Sequence, residues 1–321
     1  MPRWFGMPGS ALLLSVFLTA AASPPQIAVR VDVVTVPVTV TGARGEFVGG
    51  LERKNFRLLV DGAEQPIEYF TPEQEPAQVL VLVETGPAVY LLRREHIFAA
   101  AELLEGLAAG DRIAVANYSD VLGLLLDFTP DRRAAVAALQ GMSYSLGNAQ
   151  LNFYDSLASA VDWVETEGGK RAIVVLTTGL DSSPASRWEL LAAKLQHSNV
   201  LVLPVALGGE LRGDKRKNAE TKGAGTLSFA ESDRALEAIA AATGGYAFFP
   251  RTERDYQDAY QRIASLLGHQ YSLGFAARQQ DARYHAISVE VVDDQGRAFN
   301  GKDRKPEYRV NARREFLASP P

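Results

Sequence analysis

The sequence predicts an α/β protein in which a doubly wound, mostly parallel sheet is inserted in a small β-sandwich formed by the N- and C-terminal arms. Three observations lead to this fold class. Between residues 77 and 267, short apolar runs alternate with segments of helical periodicity, as in a sheet with helices on both faces. The apolar runs are nearly continuous, which is typical of parallel strands buried on both sides. The flanking segments alternate apolar and polar residues, as half-buried strands do.

Residues 1–22 are predicted to be a secretory signal peptide. Arg3 gives a weakly positive start, residues 11–20 form a short apolar core, and residues 20–22 supply the small side chains of a cleavage site. The core is too short for a membrane span, and the alternative is an uncleaved N-terminal anchor. No later segment is apolar and long enough to cross a bilayer. We therefore expect a periplasmic, cell-surface or secreted protein, with no transmembrane span after signal cleavage.

The amino-acid composition argues against a nucleic-acid partner and indicates how the fold is stabilised. The chain of 321 residues carries a formal net charge of -5, so it lacks the basic excess of a nucleic-acid-binding protein. It contains no cysteine, which excludes disulfides and thiol chemistry. With 47% hydrophobic residues, it is rich enough in apolar side chains to be held by its core alone.

The N-terminal arm, residues 23–76, is predicted to be a β arm. Residues 27–41 alternate in period two, and residues 42–45 form a turn. Residues 56–60 predict a second strand, and Asp61-Gly62 predicts a hairpin turn that leads into residues 65–70. Pro72 and Pro76 then mark a domain boundary.

Residues 77–267 are predicted to be the α/β domain. The strands are predicted at residues 79–83, 112–118, 121–128, 171–177, 200–206 and 246–249, with 121–128 forming an antiparallel edge hairpin. The helices are predicted at residues 90–107, 132–139, 152–165, 186–196, 233–243 and 254–267.

The C-terminal arm, residues 268–321, returns to strands at residues 270–275, 285–292 and 307–311. Short β arms seldom fold alone. We therefore expect the two arms to complete one small β domain around the inserted α/β domain.

Several segments together resemble a known family. They are residues 36–40 (VPVTV), 45–51 (GEFVGGL), 55–62 (NFRLLVDG), 153–157 (FYDSL) and 271–275 (YSLGF). In this order they resemble the VWFA-related domain family described from Acidobacteria, which are secreted proteins with a von Willebrand factor A (VWA) domain between β segments. The resemblance covers nearly all of the chain after the signal peptide. It implies a VWA-like sheet and a metal site on three loops at its carboxyl edge.

The resemblance also places the metal site, and this sequence departs from it at every ligand. The first loop of the family carries an Asp and two Ser residues, where this chain has Glu84, Gly86 and Ala88. The second loop carries a Thr, where this chain has Leu151. The third carries an Asp, where this chain has Thr178. Because Mg²⁺ and Ca²⁺ need several oxygen ligands, we expect a degenerate site with no metal cofactor. The alternative is a rearranged site built from Glu84, Asn152, Thr178 and Asp181.

A polar insertion at residues 208–225 is a candidate partner-binding loop, since such loops are usually solvated. Its basic residues are Arg212, Lys215, Arg216, Lys217 and Lys222.

No complete catalytic set is recognisable. Residues 141–145 (GMSYS) lack the final glycine of a nucleophile elbow, and the four histidines have no metal-ligand spacing and are expected at the surface. We therefore expect a non-enzymatic, adhesion-type VWA module that binds an unknown protein in the cell envelope or extracellular space. The alternatives are a metal-dependent adhesion domain with unusual ligands and a hydrolase on the same fold, which would need Glu84, Asp155 and Asp181 to converge with a base.

Overall fold

The computed structural model describes residues 32–44, 46–90, 93–144, 150–182, 186–212, 229–299 and 308–320. The predicted signal peptide and its cleavage site lie outside these residues. So do Lys215, Arg216, Lys217 and Lys222 of the polar insertion. In the part of the chain that is described, no helix combines the length and apolar character that crossing a membrane requires.

The central sheet has five strands. They are β5 (Ala77–Glu84), β6 (Arg112–Tyr118), β7 (Leu122–Thr129), β8 (Lys170–Thr177) and β9 (Leu201–Ala206). Their spatial order is β7-β6-β5-β8-β9, and only the edge strand β7 runs antiparallel to its neighbour. Starting from β5, the chain therefore adds β6 and β7 on one side and then β8 and β9 on the other. This reversal opens a crevice at the carboxyl ends of β5 and β8, where such sheets place their ligand sites.

The predicted last strand at residues 246–249 is reduced to a single parallel bridge between Val205 and Phe248. The N–H of Ala206 donates to the carbonyl of Phe248 at 2.8 Å, and the N–H of Phe248 donates to the carbonyl of Pro204 at 2.8 Å. The segment thus covers the outer edge of β9.

Helices cover both faces of the central sheet. They are α1 (Pro87–Tyr90), α2 (Arg93–Gly106), α3 (Arg132–Gln140), α4 (Phe153–Glu165), α5 (Ser186–His197), α6 (Gly209–Arg212), α7 (Phe229–Thr243) and α8 (Glu253–Gly268). Alternate residues of β5 enter different cores: Val79, Val81 and Val83 pack with α2, α3 and α8, while Leu80 and Leu82 pack with α4, α5 and α7. This two-sided burial explains the continuous apolar runs in the sequence.

The two arms combine as predicted. The remaining strands are β1 (Asp32–Gly42), β2 (Phe56–Val60), β3 (Ala63–Gln65), β4 (Tyr69–Thr71), β10 (Gln270–Ala277), β11 (Tyr284–Val291), β12 (Tyr308–Ala312) and β13 (Glu315–Leu317). They form two antiparallel sheets, ordered β12-β1-β10-β4 and β13-β11-β2-β3, with one shared apolar core. Each sheet takes strands from both arms, so the predicted fold class is confirmed.

Two buried cations join the sandwich to the central domain. The Nζ of Lys170 donates to the carbonyls of Glu73 at 2.7 Å, Leu267 at 3.3 Å and Gln270 at 3.4 Å. The chain passes between the sandwich and the central domain twice, once near Glu73 and once near Gln270. Both connections therefore bind the same ammonium group. Arg313 lies between β12 and β13 and donates to the carbonyls of Gln196 and Ser198 at the end of α5. Burial lowers the pKa of Lys170, and it lowers the pKa of Arg313 to about 10.

The prediction that every histidine is a surface side chain is wrong for His285. Its side chain is only 11% exposed and lies between Asp61, at 2.7 Å from Nδ1, and Asp281, at 3.0 Å from Nε2. The hydrogen bonds to these two carboxylates raise the pKa of the imidazole. Asp281 lies only 4 residues before His285, but Asp61 is 224 residues away, so local spacing reveals only one of the two partners.

Candidate functional site

The three loops that the resemblance singled out meet at the crevice between β5 and β8. Glu84 is the last residue of β5, and Thr178 directly follows β8. Leu151 precedes α4, and the N–H of the next residue, Asn152, donates to the carbonyl of Ser119 beyond β6 at 2.8 Å. Parallel strands place their carboxyl ends along one edge, so residues far apart in sequence are neighbours here.

The carboxyl group of Glu84 is fully buried and is surrounded by protein donors. Its Oε2 accepts hydrogen bonds from the N–H of Thr178 at 2.7 Å and from the hydroxyl of Thr178 at 2.9 Å. The hydroxyls of Thr177 and Tyr118 lie 3.0 and 3.1 Å from the same oxygen, and only 2.6 Å from each other. Glu84 is therefore hydrogen-bonded to residues at the ends of β6 and β8 and to the third-loop residue Thr178.

Burial raises the pKa of Glu84, and the hydrogen bonds from Thr178, Thr177 and Tyr118 offset part of that effect. Burial also raises the pKa of Tyr118 well above its ordinary value, and the nearby charge of Glu84 acts in the same direction. Both groups therefore retain their protons to higher pH than they would in water.

The raised pKa of Glu84 gives a pH-dependent prediction. A carboxyl group with a folded-state pKa above its unfolded value favours the folded state at low pH, and this contribution is lost as pH rises through the folded pKa. The substitution Glu84→Gln removes this titration. We expect the melting temperature of the variant to rise relative to the unmodified protein as pH is increased from acid to neutral. Thermal scans over this range measure the difference; a difference that is constant with pH would contradict the prediction.

Leu151 occupies the space above Gly86. A Cβ atom added to Gly86 would lie 2.5 Å from Leu151 Cδ2 and 3.8 Å from Glu84 Oε1. Leu151 is held there because its N–H donates to the hydroxyl oxygen of Ser182 at 2.7 Å and its carbonyl accepts from the N–H of Ser182 at 2.8 Å. An apolar side chain thus covers the place where the family carries hydroxyl ligands. Ala88, the last first-loop position, lies in α1.

Two residues of the alternative rearranged site, Glu84 and Thr178, bind each other, and the other two have separate partners. The side-chain amide of Asn152 donates to the carbonyl of Asp120 at 2.7 Å. Asp181 accepts a hydrogen bond from the N–H of Tyr154 at 2.8 Å, at the N-terminus of α4. The hydroxyl of Thr178 donates to Glu84, as described above. Among the described residues, no group of three or more His, Asp or Glu side chains is arranged to hold a metal ion. The residues present therefore do not fit Mg²⁺ or Ca²⁺.

The three acidic residues named for a hydrolase also have separate partners. Glu84 is enclosed as described, Asp155 lies 3.5 Å from Arg187, and Asp181 binds the start of α4. The GMSYS segment begins at the C-cap of α3 and does not follow a strand, as a nucleophile elbow requires.

The prediction that Arg212 belongs to a solvated partner loop is wrong. Its side chain is only 5% exposed and pairs with Asp233. It also donates to the carbonyls of Leu207, at 3.0 Å, and Thr178, and it lies 4.6 Å above the ring of Phe229. Burial lowers its pKa to about 10. Arg212 satisfies carbonyls at the ends of β8 and β9, which explains why it is buried despite its polar sequence surroundings.

Tyr118 is the site residue that sequence reasoning missed. It pairs with Glu84 in the parallel register of β5 and β6, and Thr177 ends the strand on the other side of β5. Three neighbouring strands therefore end in polar residues, and this pattern was available in the sequence.

No protein-family model and no curated protein sequence matches the chain. An aerotolerance-related membrane protein from Bacteroides fragilis has a similar structure, with 15% identity and a TM-score of 0.46, over 60% of this chain and 98% of that protein. A von Willebrand factor type A protein from Catenulispora acidiphila has 11% identity and a TM-score of 0.44, over 92% and 75% of the two chains. Proximal thread matrix protein 1 from the mussel byssus, with a zinc-occupied MIDAS motif, has 15% identity and a TM-score of 0.42, over 60% and 48%.

The central domain has a doubly wound, mostly parallel sheet with helices on both faces, which is the fold class that the sequence predicted. Its antiparallel edge strand was predicted at residues 121–128 from the sequence pattern.

Proposed function

We propose that the chain is a secreted, non-enzymatic protein-interaction module whose VWA-like cleft does not bind a divalent cation. One observation carries the proposal: the only carboxylate of the first loop, Glu84, is buried among donors from Tyr118, Thr177 and Thr178, while Leu151 covers Gly86. The cleft is thus stabilised by protein contacts where the family uses a metal ion.

The energetic argument concerns dehydration. A divalent cation leaves water only for a site that offers charged oxygen ligands in suitable geometry. To reach a cation, Glu84 would have to give up its hydrogen bonds with Thr178, and Leu151 would have to move. Both changes cost free energy, and one carboxylate offers little attraction in return.

The non-enzymatic part of the proposal rests on the acidic residues near the crevice. A general acid or base must lie within hydrogen-bond reach of the reacting group. Glu84 is fully buried, and Asp155 and Asp181 already have partners within the domain. These engagements favour a binding role over catalysis.

The partner is proposed to be a protein of the cell envelope or extracellular space, and the chain periplasmic, at the cell surface or released. This location follows from the predicted signal peptide and from the resemblance to the secreted VWFA-related family.

A metal titration tests the proposal. We expect millimolar Mg²⁺, Ca²⁺ or a chelator to leave the melting temperature unchanged. A cation that bound only the folded state would stabilise it by about 2.7 kcal/mol at a hundredfold excess over its dissociation constant. In the same experiment, proteins retained from an envelope extract by the immobilised mature chain should be identical with and without chelator.

The control is a chain with the family ligands restored: Glu84→Asp, Gly86→Ser, Ala88→Ser, Leu151→Thr and Thr178→Asp. If it folds, it should show a metal-dependent shift. A shift in the unmodified protein that Glu84→Gln abolishes would contradict the proposal. It would instead support an adhesion domain with unusual ligands.

A further inference from the structure

Two turns of the sandwich hold a non-glycine residue in the left-handed backbone region. Among the described residues, the two non-glycine residues with positive φ are Asp61, at 50°, and Ala282, at 53°. Asp61 begins the turn between β2 and β3, and Ala282 lies in the turn between β10 and β11. Alanine has no polar side chain that could stabilise this conformation, so it persists only where the surrounding structure imposes it. Backbone strain of this kind is concentrated at functional sites, clamps and switches.

The side chain of His285 joins these two turns. Its Nδ1 lies 2.7 Å from Oδ2 of Asp61, and its Nε2 lies 3.0 Å from Oδ1 of Asp281. The same carboxylates fix the backbone of the turns. Oδ1 of Asp61 accepts the N–H of Ala286 at 2.9 Å, and Oδ1 of Asp281 accepts the N–H of Arg283 at 3.1 Å. One imidazole therefore links the conformations of two segments that are far apart in sequence.

This arrangement fits a charged imidazole. Both ring nitrogens carry a hydrogen only in the charged form, whereas the neutral ring has one N–H and one lone pair. In the neutral form, the lone pair would point at one of the two carboxylates. A neutral ring can therefore keep only one of the two contacts as a hydrogen bond.

The groups around the imidazole come from three elements. The two turns supply Asp61 and Asp281, which are the charged groups that act on the ring. Arg283, in the same turn as Asp281, acts on that carboxylate. From β13, the uncharged ring of Phe316 stacks on the imidazole with centroids 5.4 Å apart. Glu315 is the preceding residue of β13, so its side chain lies on the opposite face of that strand.

We propose that His285 is a proton-operated clamp on the two turns. With both ring nitrogens protonated, it holds the turns together. When the Nε2 proton leaves, Asp281 separates from the ring and the turn at Ala282 opens. The Nδ1 proton is retained because its contact with Asp61 is the shorter one, and because Asp281 still has the N–H of Arg283 as a donor. The clamp lies in the sandwich and does not depend on whether the cleft binds a metal.

The direction of the pH effect follows from the raised pKa of the imidazole, which the hydrogen bonds to Asp61 and Asp281 cause. The stabilisation by the clamp is fully present below the unfolded-state pKa of His285. It is lost as pH rises through the higher folded-state pKa. The pKa values of both carboxyl groups are lowered, mainly by their hydrogen bonds to the imidazole. The clamp is therefore closed on the acidic side of the imidazole transition and open on the alkaline side.

Thermal scans of the purified protein and of His285→Gln, from about pH 5 to about pH 9, test the clamp. We expect the melting temperature of the unmodified protein to exceed that of the variant at acidic pH. This difference should shrink by at least about 2 °C as pH rises. The matched control is His197→Gln, at an exposed histidine of α5, for which the difference should stay constant with pH. Nitrogen-15 NMR of the imidazole locates the transition and identifies the neutral ring, which should carry its proton on Nδ1.

The substitution Asp281→Asn tests the clamp from an exposed side chain. The asparagine amide can donate to a deprotonated Nε2, so we expect the turn of this variant to stay closed at high pH. Hydrogen exchange of residues 278–284 is compared between the variant and the unmodified protein at the same pH. The rates should be similar below the imidazole transition. Above it, exchange should be at least about tenfold faster in the unmodified protein.

Three results would each overturn the inference. The first is a melting-temperature difference between the unmodified protein and His285→Gln that does not change with pH. The second is a neutral imidazole protonated on Nε2, because the Asp61 contact would then be the one that opens. The third is equal exchange of residues 278–284 in the unmodified protein and Asp281→Asn above the transition. If His285→Gln does not fold, the NMR titration and the Asp281→Asn comparison decide.

Discussion

Replacing Lys170 with methionine is expected to lower the free energy of unfolding by about 3 kcal/mol or more. The side chain is 4% exposed, and its ammonium donates to three carbonyls, of Glu73, Leu267 and Gln270. Methionine fills a similar volume but leaves these carbonyls without their donor in a buried place. Chemical denaturation followed by the fluorescence of Trp163 and Trp188 measures the loss.

The matched control is Lys194→Met. Lys194 pairs with Asp162 at the protein surface, where an ion pair contributes at most about 1 kcal/mol. If Lys170→Met lowers the free energy of unfolding by no more than Lys194→Met does, the ammonium group does not stabilise the two connections between the domains.

Replacing Glu84 with alanine is expected to lower the free energy of unfolding by about 3–5 kcal/mol. The change leaves a buried cavity and removes the acceptor of the Thr178 N–H and hydroxyl, together with the acceptor near Tyr118 and Thr177. Melting temperature and denaturant midpoints measure the effect, and we expect it to be the same with and without divalent cations.

The control for this substitution is Glu189→Ala, in the first turn of α5 and exposed to solvent. It should change the free energy of unfolding by no more than about 0.5 kcal/mol. A Glu84→Ala variant as stable as the unmodified protein would show that the carboxyl group is not a structural element of the cleft.

Much of the fold could be predicted because parallel strands and sandwich strands leave different patterns. The apolar run of β5 predicts burial on both faces, and the alternation in β11 predicts burial on one. The hairpin predicted to continue through residues 65–70 is wrong in part. After Gln65 the chain leaves that sheet, and Tyr69–Thr71 joins the other. Pro66, which lacks an N–H, interrupts the pairing, but period two alone does not tell which sheet a strand enters.

The candidate site was predicted less completely. Topology brings the loops of Glu84, Leu151 and Thr178 together, and the sequence shows which ligand types are absent. It does not show where side chains point. The enclosure of Glu84 by Tyr118 and the burial of Arg212 both depend on tertiary contacts between distant segments. The polar sequence around Arg212 predicts a solvated side chain, and only its contacts with distant segments show that it is buried.

The meeting of both crossings at Lys170 has a mechanical consequence. The central domain leaves the sandwich near Glu73 and returns near Gln270, and both carbonyls bind the same ammonium. Asp32 begins the first described strand of the sandwich in chain order, and Ser319 follows the last. Tension applied between those two residues is therefore carried by the strands of the sandwich, and the inserted domain lies outside the line of force for as long as the junction holds.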